Sequence, residues 1–286
     1  LHHLHIPTSR ALCLLSSNEP VYREIQEKAA LLIRTAPSHL RFGHFEYFYH
    51  DRAPGSDPDQ APDKLNQLME YALSEHFPDA LLSDNPHLTM LSTIVQSTAK
   101  LIAQWQVSGF NHGVMNTDNT AISGETIDYG PCAFIDGFHP QCVFSSIDRQ
   151  ARYSWENQPN MALWNLSRLA ETLLPLLDEN EKKSLAIAEK TLAGFSECFS
   201  QQYMSRFRAK FGLTQNQTEH DELIQDGLSL IANQQVDFTL FFRQLTCAAR
   251  GNSSVALSSL FADQDTFLQW FARWQNAVDS APQAAT

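Results

Sequence analysis

Residues 112–130 read HGVMNTDNTAISGETIDYG and concentrate oxygen-bearing side chains that could hold a metal ion and move a proton. Asn119 and Asp128 offer an amide oxygen and a carboxylate, hard donors suited to Mg²⁺, which keeps positions free for water and phosphate oxygens. The segments TAIS and TID read as two short strands meeting at Ser123 and Gly124. A two-residue hairpin turn there sets Ile122 opposite Glu125 and, further along, Asn119 opposite Asp128. Facing residues in a hairpin have Cβ atoms about 4.5–5.5 Å apart, near enough for one ion to take both oxygens. Asp118, beside Asn119, is the carboxylate available to accept a proton.

The same stretch resembles the catalytic loop of a protein kinase. Asn119 lies seven residues after His112, as the metal-binding Asn does in H-R-D-x-x-x-x-N, and Asp128-Tyr129-Gly130 stands for D-F-G. One element departs. Two residues after His112, where a kinase carries its catalytic Asp, this chain has Val114, which cannot take a proton. Asp118 is the loop carboxylate that could replace it. Two other readings stay open on these residues. One is an ordinary kinase-type phosphotransferase, which Val114 counts against. The other is a nucleotide-binding pseudokinase scaffold, which the joint presence of Asp118, Asn119 and Asp128 counts against.

The wider sequence is more specific. GFNHGVMNTDNTAISGETIDYGPCAFID, with IPTSRAL, EPVYRE, IRTAPSHLRFGHFEYF and RYSWENQPNMALWNL, resembles the selenoprotein O family over most of residues 5–210. That resemblance implies a protein-kinase-like fold and a protein adenylyltransferase. Such an enzyme binds ATP flipped relative to a kinase and moves AMP to a Ser, Thr or Tyr hydroxyl of a protein, with Mg²⁺ or Mn²⁺. It implies Asp118 as proton acceptor, Asn119 and Asp128 as metal ligands with Asp128 also at the nucleotide, and Arg34 and Arg41 as nucleotide contacts. Transfer of UMP would leave the same residues in the same roles. By residue type alone, two arginines seven apart read as a solvated pair. A planar, permanently charged fork is nonetheless well suited to phosphate oxygens.

The elements that must position these residues follow from pattern. RALCLL (10–15) and AALLIRTA (29–36) read as strands separated by the turn-prone SSNEP. Pro37-Ser38 signals a helix start, and residues 51–63, rich in Pro, Gly and Asp, read as a loop. Leu65, Leu68, Met69, Ala72 and Leu73 keep helical spacing. So do Leu91, Ile94, Val95, Thr98, Ile102 and Trp105, with Gly109 as the stop before His112. A further stripe runs from Leu185 through Ala188, Leu192, Phe195 and Phe199 to Phe207, and helices are expected near 221–233, 236–247 and 264–278. The aromatics Phe267, Trp270, Phe271 and Trp274 of the last read as core. The expected class is α+β, mostly α. Residues 1–36 would be the last strands of a kinase-like small lobe and hinge, and residues 37–286 the helical large lobe with its catalytic-loop hairpin at 112–130. A Gly-rich phosphate loop, a strand Lys and its Glu partner do not occur upstream of Arg34 in the required order. The resemblance implies that these lie before Leu1 and that the family continues past Thr286, so that the piece alone transfers AMP poorly.

Composition narrows the function further. A net charge of −12 argues against a nucleic-acid surface, and no apolar run is long enough to span a bilayer. The five cysteines are scattered without a CxxC, which points to a reducing, cytoplasmic setting rather than a disulfide framework or a zinc site. Cys142 lies where an activation segment would be and is a conceivable redox switch. Asp148, Arg149 and Arg152 in the same region read as a substrate contact or a structural ion pair. His2, His3 and His5 read as surface or strand residues, and the glycosylation pattern at Asn165 falls within a helix read as buried.

Overall fold

The computed structural model describes residues 1–22, 25–50, 61–213 and 218–279. In chain order the elements are β1 (Arg10–Tyr22), β2 (Gln26–Thr35), α1 (Phe42–His50), α2 (Ala61–His76), α3 (Pro86–Ser108), β3 (Phe110–Asn111) and β4 (Ala133–Phe134). Then come α4 (Gln158–Leu177), α5 (Glu181–Lys210), α6 (Thr218–Asn233), α7 (Phe238–Ala249), α8 (Val255–Ser258) and α9 (Gln264–Asp279). The fold is α+β and mostly helical, with two small antiparallel sheets among the described residues. Its residues group into two units. One comprises Leu1–Ser97, Asn116–Asp128 and Asn165–Thr191. The other comprises Thr98–Met115, Tyr129–Trp164 and Leu192–Thr286.

In the first unit β1 and β2 form an antiparallel ribbon, Arg10 opposite Thr35 and Tyr22 opposite Gln26. The strand continues through SSNEP, where a turn was expected, and takes up the irregular residues as a register shift between Ser16 and Pro20. Each strand of a two-stranded ribbon keeps one unpaired edge, so a proline there need not cost a ladder bond. Helix α1 begins at Phe42 rather than near Ser38. The Ser38 hydroxyl accepts from Leu40 N–H at 3.0 Å, closing a local turn instead of capping a helix. Leu65, Met69, Ala72 and Leu73 of α2 are buried, as are Leu91, Ile94 and Val95 of α3, so both periodic readings hold in this unit. The stripe on α5 starts differently: Leu185 is 49% exposed and Ser184 is 1%. The Ser184 hydroxyl donates to Leu174 O of α4, which turns that face of the helix inward. The loop expected at 51–63 lies outside the described residues except for 61–63, which open α2.

The second unit is built on aromatic packing. Phe207, Phe211, Phe238, Phe241, Phe242, Phe267, Trp270, Phe271 and Trp274 share one buried cluster. The indole N–H of Trp270 donates to Leu223 O at 3.0 Å and that of Trp274 to Phe211 O at 2.8 Å, so the polar ends of the buried rings are satisfied. Helix α3 stops at Gly109, which adopts φ +72°, and the chain enters β3, paired with β4 through Phe110–Phe134 and Asn111–Ala133. Helix α7 starts after Asp237, whose carboxylate accepts from Leu240 N–H at 2.7 Å as an N-cap.

Candidate functional site

Arg34, Arg41, Asp118, Asn119 and Asp128 all belong to the first unit. Asp118 and Asn119 sit in a single 3-10 turn, Thr117–Asn119. Asn119 N–H donates to Asn116 O at 3.1 Å. The Thr120 hydroxyl donates to the same carbonyl at 3.0 Å and accepts from Asn165 Nδ2 at 2.9 Å. Asn165 is fully buried on α4, so its glycosylation pattern is structural and its amide braces the turn.

The expected hairpin between 119–122 and 125–128 does not form. Gly124 N–H donates to Ala121 O, so the turn is centred on Ile122 and Ser123, one residue earlier than read from sequence. Gly124 takes φ +70°, and a Cβ there would come within 2.9 Å of Ser97, which explains the glycine. The two flanks pair with other segments. Ala121 pairs antiparallel with Arg41, through Phe42 N–H to Thr120 O and Ile122 N–H to Leu40 O, both 3.0 Å. Thr126 pairs parallel with Thr8, through Thr126 N–H to Pro7 O at 2.9 Å and Ser9 N–H to Thr126 O at 3.0 Å. Asn119 and Asp128 are therefore not cross-strand partners, because backbone from residues 7–9 and 40–42 occupies the positions that the hairpin would have used.

These pairings carry the arginines. Arg41 is stitched by its neighbours' main chain to the loop that follows Asp118 and Asn119, and its side chain is exposed. Arg34 donates from Nε and Nη2 to Ser9 Oγ at 3.0 and 2.9 Å and from Nη2 to Ser9 O at 2.8 Å. Ser9 is in turn bonded to Thr126, two residues before Asp128. Asp128 is exposed and holds φ 56°, a left-handed conformation uncommon for a non-glycine residue. Asp118 is exposed overall, and its carboxylate lies against Gly43 in the first turn of α1.

Among the described residues no group of three or more His, Cys, Asp or Glu could cage a metal ion. Asn119 and Asp128 offer an amide and a carboxylate oxygen, hard donors of the type Mg²⁺ takes. Two hard protein oxygens, with water and phosphate filling the remaining positions, is how Mg²⁺ is usually held beside nucleotides.

In the second unit His112 is fully buried and stacks on Trp105 at 5.2 Å. Its backbone N–H donates to Gln158 Oε1 at 3.0 Å, its Nδ1 accepts from Val114 N–H at 3.4 Å, and Gln158 Nε2 donates to Phe110 O at 3.1 Å. The imidazole that marks the motif is thus a packing element. Gly113 follows it at φ +83°, where a Cβ would meet Pro131 O at 2.9 Å. Asp148 accepts from the backbone N–H groups of Arg152 and Tyr153 at 2.9 and 2.8 Å, and the Arg152 guanidinium lies 4.8 Å from the Trp164 ring centre. The Asp148 carboxylate is thus a loop clamp. Burial pushes the Cys142 thiol up to about 11, which disfavours the thiolate that redox exchange requires. All five cysteines are free thiols, and His2, His3 and His5 are exposed.

Sequence reasoning missed Ser9, Gly43, Gln158 and the bracing role of Asn165. Ser9, Gly43 and Asn165 lie in segments that carried the family resemblance, but their partners are distant in sequence and no local spacing announces them.

A mostly helical α+β fold, with the loop after His112 tied to two arginine-bearing segments, has the kinase-like character of one family. The chain belongs to it: the family model for protein adenylyltransferase SelO matches residues 1–286. A protein nucleotidyltransferase YdiU from Methylorubrum populi is 44% identical over 292 residues, covering 100% of this chain and 57% of the relative. Namesakes from Rhodopseudomonas palustris (43%, 99% of this chain, 56% of the relative) and Pseudoalteromonas atlantica (44%, 97% and 55%) are similar. The chain thus spans little more than half the length of these relatives. Among the described residues no helix is long and apolar enough to cross a membrane.

Proposed function

We propose that this chain carries the catalytic loop of a protein adenylyltransferase that moves AMP from ATP to a Ser, Thr or Tyr hydroxyl of an acceptor protein. The hydroxyl oxygen attacks the α-phosphorus, the bond from the α-phosphorus to the β-phosphate's bridging oxygen breaks, and pyrophosphate leaves. The hydroxyl proton passes to the Asp118 carboxylate. Arg34 and Arg41 bind phosphate oxygens, and Asn119 and Asp128 hold Mg²⁺ or Mn²⁺. When bound, that ion neutralises charge developing on the phosphates. On this reading Val114 is tolerated because the reacting centre has moved from the kinase position to the neighbourhood of Asp118.

The observation that carries the reading is the pair of main-chain bonds joining Leu40–Phe42 to Thr120–Ile122. They fix the segment bearing Arg41 to the loop bearing Asp118 and Asn119, the combination that nucleotidyl transfer needs and a simple loop does not. The names of the relatives support nucleotidyl transfer without specifying the base. The test is to incubate the complete gene product with metal and ATP labelled at the α- or the γ-phosphate, with α-labelled UTP alongside. Label entering protein from α-labelled ATP alone is expected. Label from the γ position would make the protein a kinase, and preferential label from UTP would make it a uridylyltransferase.

A further inference from the structure

Gly43 has no conformational reason to be glycine. It lies in the first turn of α1 with ordinary helical backbone angles, where alanine is the more stable residue. The reason is steric. A Cβ built on Gly43 would fall on Asp118 Oδ1, 3.0 Å from Asp118 Cγ and 3.4 Å from its Cα. The carboxylate occupies the space that any other residue would fill, and the nearest obstacle to a side chain is a terminal oxygen that can swing away. Adding a methyl group at 43 is therefore cheap for the fold, but it moves Asp118. The end of the helix that Asp118 meets is its N-terminus, whose partial positive charge favours a carboxylate.

We infer that Gly43 is a positioning residue: its missing side chain seats the Asp118 carboxylate against α1 and so sets where the acceptor's proton is received. The inference rests on the reading of Asp118 as proton acceptor. It adds a requirement that reading does not contain, namely that the rate depends on an empty volume at residue 43. Arg41 and Phe42, immediately before it, are anchored to Ala121 and Thr120. The α1 turn and the Asp118 turn are thus held in a fixed relation, and a methyl group cannot be absorbed by sliding one past the other.

The test compares Gly43→Ala, Asp118→Asn and the double variant in the complete gene product. Gly194→Ala serves as control, because a Cβ there meets nothing within 4 Å. Thermal midpoint, KM for ATP and kcat for AMP transfer are measured for each. Gly43→Ala is expected to melt at or above the wild-type midpoint and to keep its KM within about twofold. Its kcat should fall at least about tenfold, within the roughly 10²–10⁴-fold that a positioned base supplies. The double variant should be no slower than Asp118→Asn, since the residues act as one unit. A Gly43→Ala enzyme within twofold of wild-type kcat overturns the inference. So does a lowered midpoint, or a loss that multiplies with that of Asp118→Asn, because each is what a purely structural glycine gives. If Asp118→Asn itself transfers AMP at the wild-type rate, the base assignment fails, independently of what Gly43→Ala does.

Discussion

Ser9 illustrates how a small side chain can orient a residue proposed to contact the nucleotide. Three contacts commit Arg34's Nε and Nη2 to the Ser9 hydroxyl and carbonyl, and Ser9 is itself bonded to Thr126. Ser9→Ala removes the two hydroxyl contacts and loosens the guanidinium, although the bond to the Ser9 carbonyl remains. Nucleotide affinity should then weaken by about tenfold, equivalent to about 1.4 kcal/mol, with kcat at saturating ATP nearly unchanged. Titration calorimetry with a non-hydrolysable ATP analogue checks this, and unchanged affinity would separate Ser9 from the nucleotide site. The residues proposed to do chemistry were nominated by sequence alone: Asp118, Asn119 and Asp128 from type and spacing, the arginines only from the family pattern around them. Their supports were not. Ser9, Gly43 and Asn165 act through contacts with residues 25 or more positions away, and nothing in their local sequence encodes those partners.

Elements were legible where burial is periodic. Helices α2 and α3 follow their 3, 4 spacing because one face is buried, and α3 ends where Gly109 reaches a left-handed conformation. A Cβ on Gly109 would also lie 2.7 Å from the Phe238 ring. Gly109→Ala should therefore destabilise the fold by about 2–4 kcal/mol, the sum of a left-handed penalty and overpacking, seen as a lower denaturant midpoint. The 120–128 hairpin was misread because a turn signal gives the position of a bend but not the partner of each arm, and here both arms pair with chain more than 75 residues earlier. At the end of α5, Lys210 sits 4.5 Å from the Phe242 ring centre, and burial lowers its ammonium from the ordinary 10.5 to about 8. Between those two values the unfolded chain holds more protons than the folded one, so stability should rise with pH from about 8 towards 10.5. Melting curves across that window should show the rise in wild type and a flatter response in Lys210→Met.

At the scale of the whole molecule the β1–β2 ribbon is the feature most in need of explanation. Leu14 and Leu15 are adjacent and so face opposite sides, yet they are 68% and 52% exposed, and Leu31 and Leu32 on β2 are 60% and 44% exposed. A lone two-stranded ribbon is marginal in water, and apolar residues on both faces call for cover. The relatives this chain matches are nearly twice its length, and cover from other chain would remove these leucines from water. Leu14→Lys with Leu32→Lys should then reduce dye binding by the 286-residue chain without lowering its midpoint. In the complete gene product the same pair should destabilise by roughly 3–6 kcal/mol, from the loss of two buried leucines. Equal behaviour in both would mean that the ribbon is never covered.

On the proposed mechanism the proton acceptor is Asp118 and not a residue at the kinase position held here by Val114. The direct measurement is AMP transfer and ATP binding by the complete gene product carrying Asp118→Ala, alone and with Val114→Asp. ATP binding is expected within about twofold of wild type, with transfer reduced by about 10²–10⁴-fold and no recovery when Val114→Asp is added. Wild-type transfer by Asp118→Ala, or its restoration by Val114→Asp, would rule out Asp118 as the proton acceptor.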